Sequence, residues 1–195
     1  EVKLIDMTIR MLVEPTFESN SLLLANTLTD EGIRKKAMLV EAARKMDVYE
    51  IGMDDDEAAA AALTVLSSAA KFAAFLRTIE VDVTTKVSPT TGKEIPALAK
   101  TDEGFLALQE HDDPLVATAA AARLDAKSTI LQTRIQAFMD ASNAHPDRKV
   151  PIPLKYYGAD TTGRWSGWGY NPQNLPRVNP YNPRPSDALR RSLIA

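Results

Sequence analysis

The sequence predicts a mainly α fold with a small antiparallel β-sheet, an α+β class, and three observations predict it. Apolar residues return at helical spacing from Glu1 as far as Phe138. From Val150 to Tyr157 the period shortens to alternation, with prolines at 151 and 153, as in an edge-like strand. Beyond Gly158 the chain is rich in Gly, Pro and Asn, the residues of turns and short strands.

The elements follow in order. Glu1 to Val13 reads as a helix with Ile5, Ile9 and Leu12 inward and Leu4, Thr8 and Met11 widening the stripe; Pro15 ends it. Thr16 to Asn20 is a short extended link, and Asn20 or Ser21 caps the next helix, about Leu22 to Met46. That helix turns Leu24, Leu28, Leu39 and Val40 inward and the cluster Arg34, Lys35, Lys36 toward solvent. Asp54-Asp55-Asp56-Glu57 invites a metal-site reading, but neither ligand spacing nor a nearby His supports one. It reads instead as the acidic start of an Ala-rich helix. Ser67 or Ser68 caps a further amphipathic run through Phe72, Phe75, Leu76 and Ile79. Glu80 to Thr101 reads as a long irregular connection, the kind that is usually functional or mobile. Thr101 caps a short helix, and Asp113 with Pro114 starts the next, His111 being a surface or capping group. From Leu115 through Ile135 and Phe138 the pattern is that of one long helix, bent near Asp125. Asn143 to Lys149 is a polar linker; a strand at about Thr162 to Ser166 pairs with Val150–Tyr157 through a Gly158-Ala159-Asp160 turn. A Pro/Asn-rich loop reaches Pro185, and Leu189 to Ala195 reads as a strand cut off at its end.

Composition bounds the function. The 195 residues suffice for one sizeable core, or one domain with a satellite. Hydrophobic and charged contents of 45% and 25% are those of an ordinary soluble protein. Cys is absent, which excludes a disulfide framework or a thiolate metal site and fits a cytoplasmic origin. The run Ala58 to Ala70 is too short to span a bilayer, and the amino terminus lacks a signal pattern, so no membrane partner is expected. The net charge of -3 argues against a generic nucleic-acid binder, but its distribution argues the other way. From Lys127 onward there are 10 basic and 4 acidic residues, net +6, against 13 and 22, net -9, before it. Four of the five tyrosines and both tryptophans lie in this basic part, a combination that suits nucleic acid.

Within it, Thr161 to Arg177 (TTGRWSGWGYNPQNLPR) gathers Arg164, Trp165, Trp168, Tyr170 and the amides Asn171, Gln173 and Asn174. Gly163, Gly167 and Gly169 permit positive φ, and Pro172 and Pro176 stiffen the end of the segment. The expectation is a rigid ribbon with guanidinium and carboxamide groups pointing outward.

Thr162-Gly163-Arg164-Trp165-Ser166, followed by Asn171-Pro172-Gln173-Asn174-Leu175-Pro176, closely resembles the first conserved palm motif of family A (DNA polymerase I-like) DNA polymerases. The Trp after the Arg and the PQNLPR ending resemble the phage type. SPTTGKEIPALAKTD, from Ser88 to Asp102, is similar to the phage enzymes' thumb-tip segment, and Ala126-Lys127-Ser128-Thr129 resembles the Lys-Ser-Thr element of the family's long thumb helix. Many bacterial members carry another Lys where this chain has Asp125.

The resemblance implies a palm-base helix and link (1–24), a helical thumb (25–142) and the first part of a palm (143–195), truncated before the catalytic aspartate motif. It implies DNA contact by Ser67, Ser68, Lys86, Thr91, Lys93, Lys100, Thr101, Lys127, Ser128 and Thr129 on phosphates. Arg164, Gln173 and Asn174, supported by Asn171, would reach minor-groove or template positions. The implied partners are primer-template DNA and the remainder of the polymerase chain, its fingers and the rest of its palm. Mg2+ is implied for the complete enzyme; no catalytic residue or cofactor is expected within this fragment, which is expected to bind duplex weakly and not to polymerise. If phage-encoded, it would work in the host cytoplasm. The alternatives are a non-catalytic DNA-binding module without sequence preference, and a helical interaction domain without nucleic acid.

Overall fold

Short polar side chains set several helix starts in the computed structural model, which describes residues 1–170, 174, 175, 177, 178, 181 and 184–194. The expectations at Asn171, Pro172, Gln173 and Pro176 lie outside the described residues. Helix α1 spans Val2–Val13 and ends before Pro15, and the two-residue strand β1 (Glu18–Ser19) follows. Asn20 Oδ1 accepts from the Leu23 amide at 2.9 Å and opens α2 (Ser21–Lys45). Asp54 and Glu57 form a reciprocal capping box at the start of α3 (Asp55–Ser67), as helix-start carboxylates should. Ser68 caps α4 (Ala69–Thr78) through its Oγ, which accepts from the Lys71 amide at 3.3 Å.

Glu80 to Thr101 is more ordered than the sequence predicts, because β2 (Thr85–Val87) and β3 (Glu94–Pro96) pair as an antiparallel hairpin. Gly92, at φ +67°, closes its tip, with Gly92 N–H on the Ser88 carbonyl at 2.8 Å. Asp102, not Thr101, precedes α5 (Glu103–Gln109). Asp113 caps α6 (Pro114–Lys127) with Pro114 in its first turn, and His111 Nδ1 accepts from the Asp113 amide, a local role as predicted. The single long helix expected from Leu115 is two helices, since the chain leaves α6 at Ser128 and α7 begins at Ile130 (Ile130–Ala144).

Strands β4 (Leu154–Ala159) and β5 (Arg164–Gly167) pair antiparallel across a turn at Asp160–Gly163, later than the sequence suggests. The close is a one-turn helix α8 (Ala188–Arg191) and β6 (Leu193–Ile194), where a strand from Leu189 was expected. Strand β6 pairs antiparallel with β1, a sheet built from the two ends of the chain. The fold is mainly α, and its β content is three two-stranded antiparallel sheets among the described residues, where one was expected.

The chain divides into two compact units, 1–31 with 130–195, and 32–129. The sequence division placed α7 with the helical middle, whereas it packs in the first unit. That unit is centred on Leu24, Ile135, Phe138, Val150, Tyr170 and Leu189. Helix α1 buries only Thr8, and the stripe expected inward, Ile5, Ile9 and Leu12, is exposed. Periodicity reveals that a helix has an apolar face, not whether anything covers it. The second unit packs Leu66, Phe72, Leu76, Phe105, Leu108 and Val116 among alanines of α3 and α6. Small side chains let these helices approach, and burying each of the larger ones contributes roughly 1.5–3 kcal/mol. Arg34 and Lys36, expected in solvent, reach Asp125 and Asp56, each at 2.7 Å.

Candidate nucleic-acid interface

In the first unit the candidate residues gather on the β4–β5 ribbon. Its register runs Leu154 to Gly167, Lys155 to Ser166 and Ala159 to Arg164, so β4 bulges between Lys155 and Ala159. The bulge holds Tyr157 at φ +54°, and Gly163, at φ +61°, closes the turn with its amide on the Ala159 carbonyl at 2.8 Å. Gly169 is also left-handed, at φ +62°, while Gly167 lies in the strand with ordinary backbone.

Arg164 opens β5 and is exposed, and its guanidinium has no hydrogen-bond or ion-pair partner among the described residues. Its neighbour explains why it stays outward. Trp165 Nε1 donates to Thr8 Oγ1 at 3.0 Å, that hydroxyl donates to the Leu4 carbonyl at 2.7 Å, and the indole meets Tyr156 edge-on at 6.3 Å. Successive strand residues face opposite sides, so pinning Trp165 against α1 sends Arg164 the other way. Tyr170 likewise faces inward: its ring lies 4.6 Å from Phe138, and its hydroxyl donates to the Pro151 carbonyl. Burial pushes its pKa up to about 12. Tyr170 is buried and Trp165, though 36% exposed, is tied to α1, so both hold the ribbon, while Trp168 is half exposed.

Asn174 is exposed with its carboxamide unpartnered among the described residues, and its backbone carbonyl accepts from the Arg134 guanidinium at 3.4 Å. Asn171 and Gln173 lie outside the described residues.

In the second unit, Ser67 is exposed as the last residue of α3, and Ser68 stands where α4 turns away at 98°. Thr91 and Lys93 are exposed at the hairpin tip; Lys100 and Thr101 are exposed in the turn before α5. Lys86 does not belong with them. Its Nζ reaches both Asp102 carboxylate oxygens at 2.7 Å, so its ammonium already has a partner inside the unit. That ammonium, with the Ala99 amide, holds the Asp102 carboxyl below its ordinary pKa.

Lys127, Ser128 and Thr129 are exposed at the break between α6 and α7. Burial first, and then Arg123, push the Lys127 pKa down. The departure at Asp125 is offset locally, because Arg34 pairs with its carboxylate at 2.7 Å. Sequence reasoning placed Thr8 on the inward face of α1, where it is buried, but missed its bond to Trp165 and the roles of Arg34 and Arg123. Arg123 alone left a signal, a charge seven positions after Val116 on the helix face that also carries Ala119 and Ala120.

Among the described residues no group of three or more His, Asp or Glu side chains is placed to hold a metal ion. No single helix among the described residues is long and apolar enough to cross a membrane. No protein-family model matches the chain, and no curated protein matches it.

Proposed function

We propose that this chain is part of a family A DNA-directed DNA polymerase of phage type and that it grips primer-template duplex without reading sequence. The observation that carries the reading is Arg164, an exposed guanidinium without a partner among the described residues, on a strand fixed by its neighbour's bond to Thr8. The motif resemblance at Thr162–Ser166 stands beside it. Minor-groove edges present an acceptor, purine N3 or pyrimidine O2, at nearly the same place in every base pair. A donor on a stiff support accepts any correct pair and loses its bond when a mispair displaces that acceptor. Such a charged hydrogen bond is worth about 1.5–3 kcal/mol. Asn174, exposed seven residues beyond the end of β5, is a second donor.

The helical unit contributes contacts of another kind. Ser67, Thr91, Lys93, Lys100, Lys127, Ser128 and Thr129 are exposed hydroxyls and ammoniums, which hold phosphates and carry no sequence information. In this reading the carboxylates that bind Mg2+ belong to the remainder of the polymerase chain, and these 195 residues bind but do not polymerise.

The test is fluorescence anisotropy of a primed duplex at stepped salt. Affinity should fall linearly on a log–log plot as salt rises. Arg164→Ala should weaken it roughly 10- to 100-fold, with Arg164→Lys between. Salt-independent or absent binding, or an unchanged Arg164→Ala, overturns the reading. Primer extension by the 195 residues with magnesium and nucleotides should be absent. A non-catalytic module would bind in the same way, and extension by the polypeptide with its flanking sequence restored separates the two.

A further inference from the structure

Arg123 is one of the largest fully buried side chains among the described residues, 1% exposed, and no carboxylate among them pairs with it. One of its terminal nitrogens, Nη1, donates to the Leu66 carbonyl and, at 3.3 Å, to the Ser68 carbonyl. Its guanidinium carbon lies 4.9 Å from the centre of the Phe72 ring, and its Nε has no partner among the described residues.

An unpaired buried charge costs several kcal/mol, and a helix bend does not require one. Here carbonyl dipoles at the end of α3 and the Phe72 face offset that cost. What the arrangement achieves is local. The two carbonyls held by one guanidinium flank Ser67, so the backbone on both sides of that residue is fixed. The corner between α3 and α4 then has a single geometry, with the Ser67 side chain exposed and the first amides of α4 beside it. The same charge is felt at Lys127, adding to an anion-attracting field at this end of the unit.

We infer that Arg123 is a positioning residue that holds the α3–α4 corner in the geometry by which Ser67 and Ser68 meet a backbone phosphate. This rests on the proposed function, in which those serines are duplex contacts. Arg123 itself is buried and touches no DNA.

A double-mutant cycle tests it, using all 195 residues and a fluorescent primed duplex at fixed salt. In the wild-type background the pair Ser67→Ala, Ser68→Ala should weaken binding roughly 5- to 10-fold, two hydroxyl donors being lost. Arg123→Met, which keeps the bulk without the charge, should alone cause a similar loss, and in that background the serine pair should change binding less than twofold. Lys93→Ala, at the hairpin tip and outside the α3–α4 corner, should cause the same loss in both backgrounds, which a general loosening of the fold would not preserve. Should Arg123→Met fail to fold, Arg123→Lys is used in the cycle and must reduce the effect of the serine pair. A serine pair without effect in the wild type refutes the contact reading beneath the inference. A serine pair with undiminished effect when Arg123 is replaced refutes the inference alone.

Discussion

Replacing Tyr170 with Phe removes one oxygen from the base of the β4–β5 ribbon. Tyr170 is 9% exposed, its ring packs on Phe138, and its hydroxyl donates to the Pro151 carbonyl just before β4. The ring contact survives the substitution, but the Pro151 carbonyl loses its donor. Leaving a buried acceptor unsatisfied costs roughly 1–3 kcal/mol, which is the expected loss of stability at pH 7. A second signature comes from the phenol's pKa, raised from 10 to about 12 by burial. The folded state favours the protonated form, so the wild-type contribution is complete below pH 10. Above that the unfolded chain ionises first, and the contribution is lost as pH rises to about 12, at no more than about 1.4 kcal/mol per pH unit. The advantage of wild type over Tyr170→Phe should therefore shrink across this window. All other ionisable groups are common to both proteins, so the difference isolates Tyr170. Denaturant unfolding followed by tryptophan fluorescence is the assay, because Trp165 and Trp168 both lie in the first unit and report on it selectively. Equal stability at pH 7, or a difference that stays constant from pH 9 to about 12, would refute the reasoning.

The turn, the brace and the ion pair give three further expectations. Gly163→Ala should cost roughly 1–2 kcal/mol by thermal melting, since an L side chain resists its left-handed φ. Its Cβ would also stand 2.8 Å from the Tyr157 ring, whereas Gly92→Ala, equally left-handed but with nothing within 4 Å, should cost less. Trp165→Phe should destabilise the first unit by about 0.5–1.5 kcal/mol, and should weaken duplex binding only while Arg164 is present, as a cycle with Arg164→Ala will read. Asp102→Asn should reduce the acid-side dependence of the second unit, to which Glu41 and Asp54 also contribute. The wild-type contribution is present above the ordinary carboxylate value of 3.8 and is lost as pH falls through the lower folded value set by Lys86. Circular dichroism across an acid titration measures that loss.

Elements defined by neighbours along the chain were legible from the residues alone. Asn20, Asp54, Asp113 with Pro114, and Ser68 mark helix starts because a capping side chain bonds amides two or three residues away. The turn glycines 163 and 169 were legible for the same reason, their φ being a local property. The exposed candidates Thr91, Lys93, Lys100 and Arg164 were legible as residue types, and the freedom of their side chains from partners among the described residues was not.

The amino-acid sequence by itself determined the mainly α class, the helix starts and the polar ribbon, since all of these depend on periodicity and on contacts a few residues long. Tertiary structure alone decided which charged groups are spoken for. Lys86 belongs to Asp102, Arg34 to Asp125, and Arg123 to carbonyls 57 and 55 positions earlier. It also decided the facing of Arg164, through a bond from its neighbour to a threonine 157 positions away. Such pairings are choices among many partners of equal chemistry, and only the packed arrangement of helices and strands brings one of them within reach.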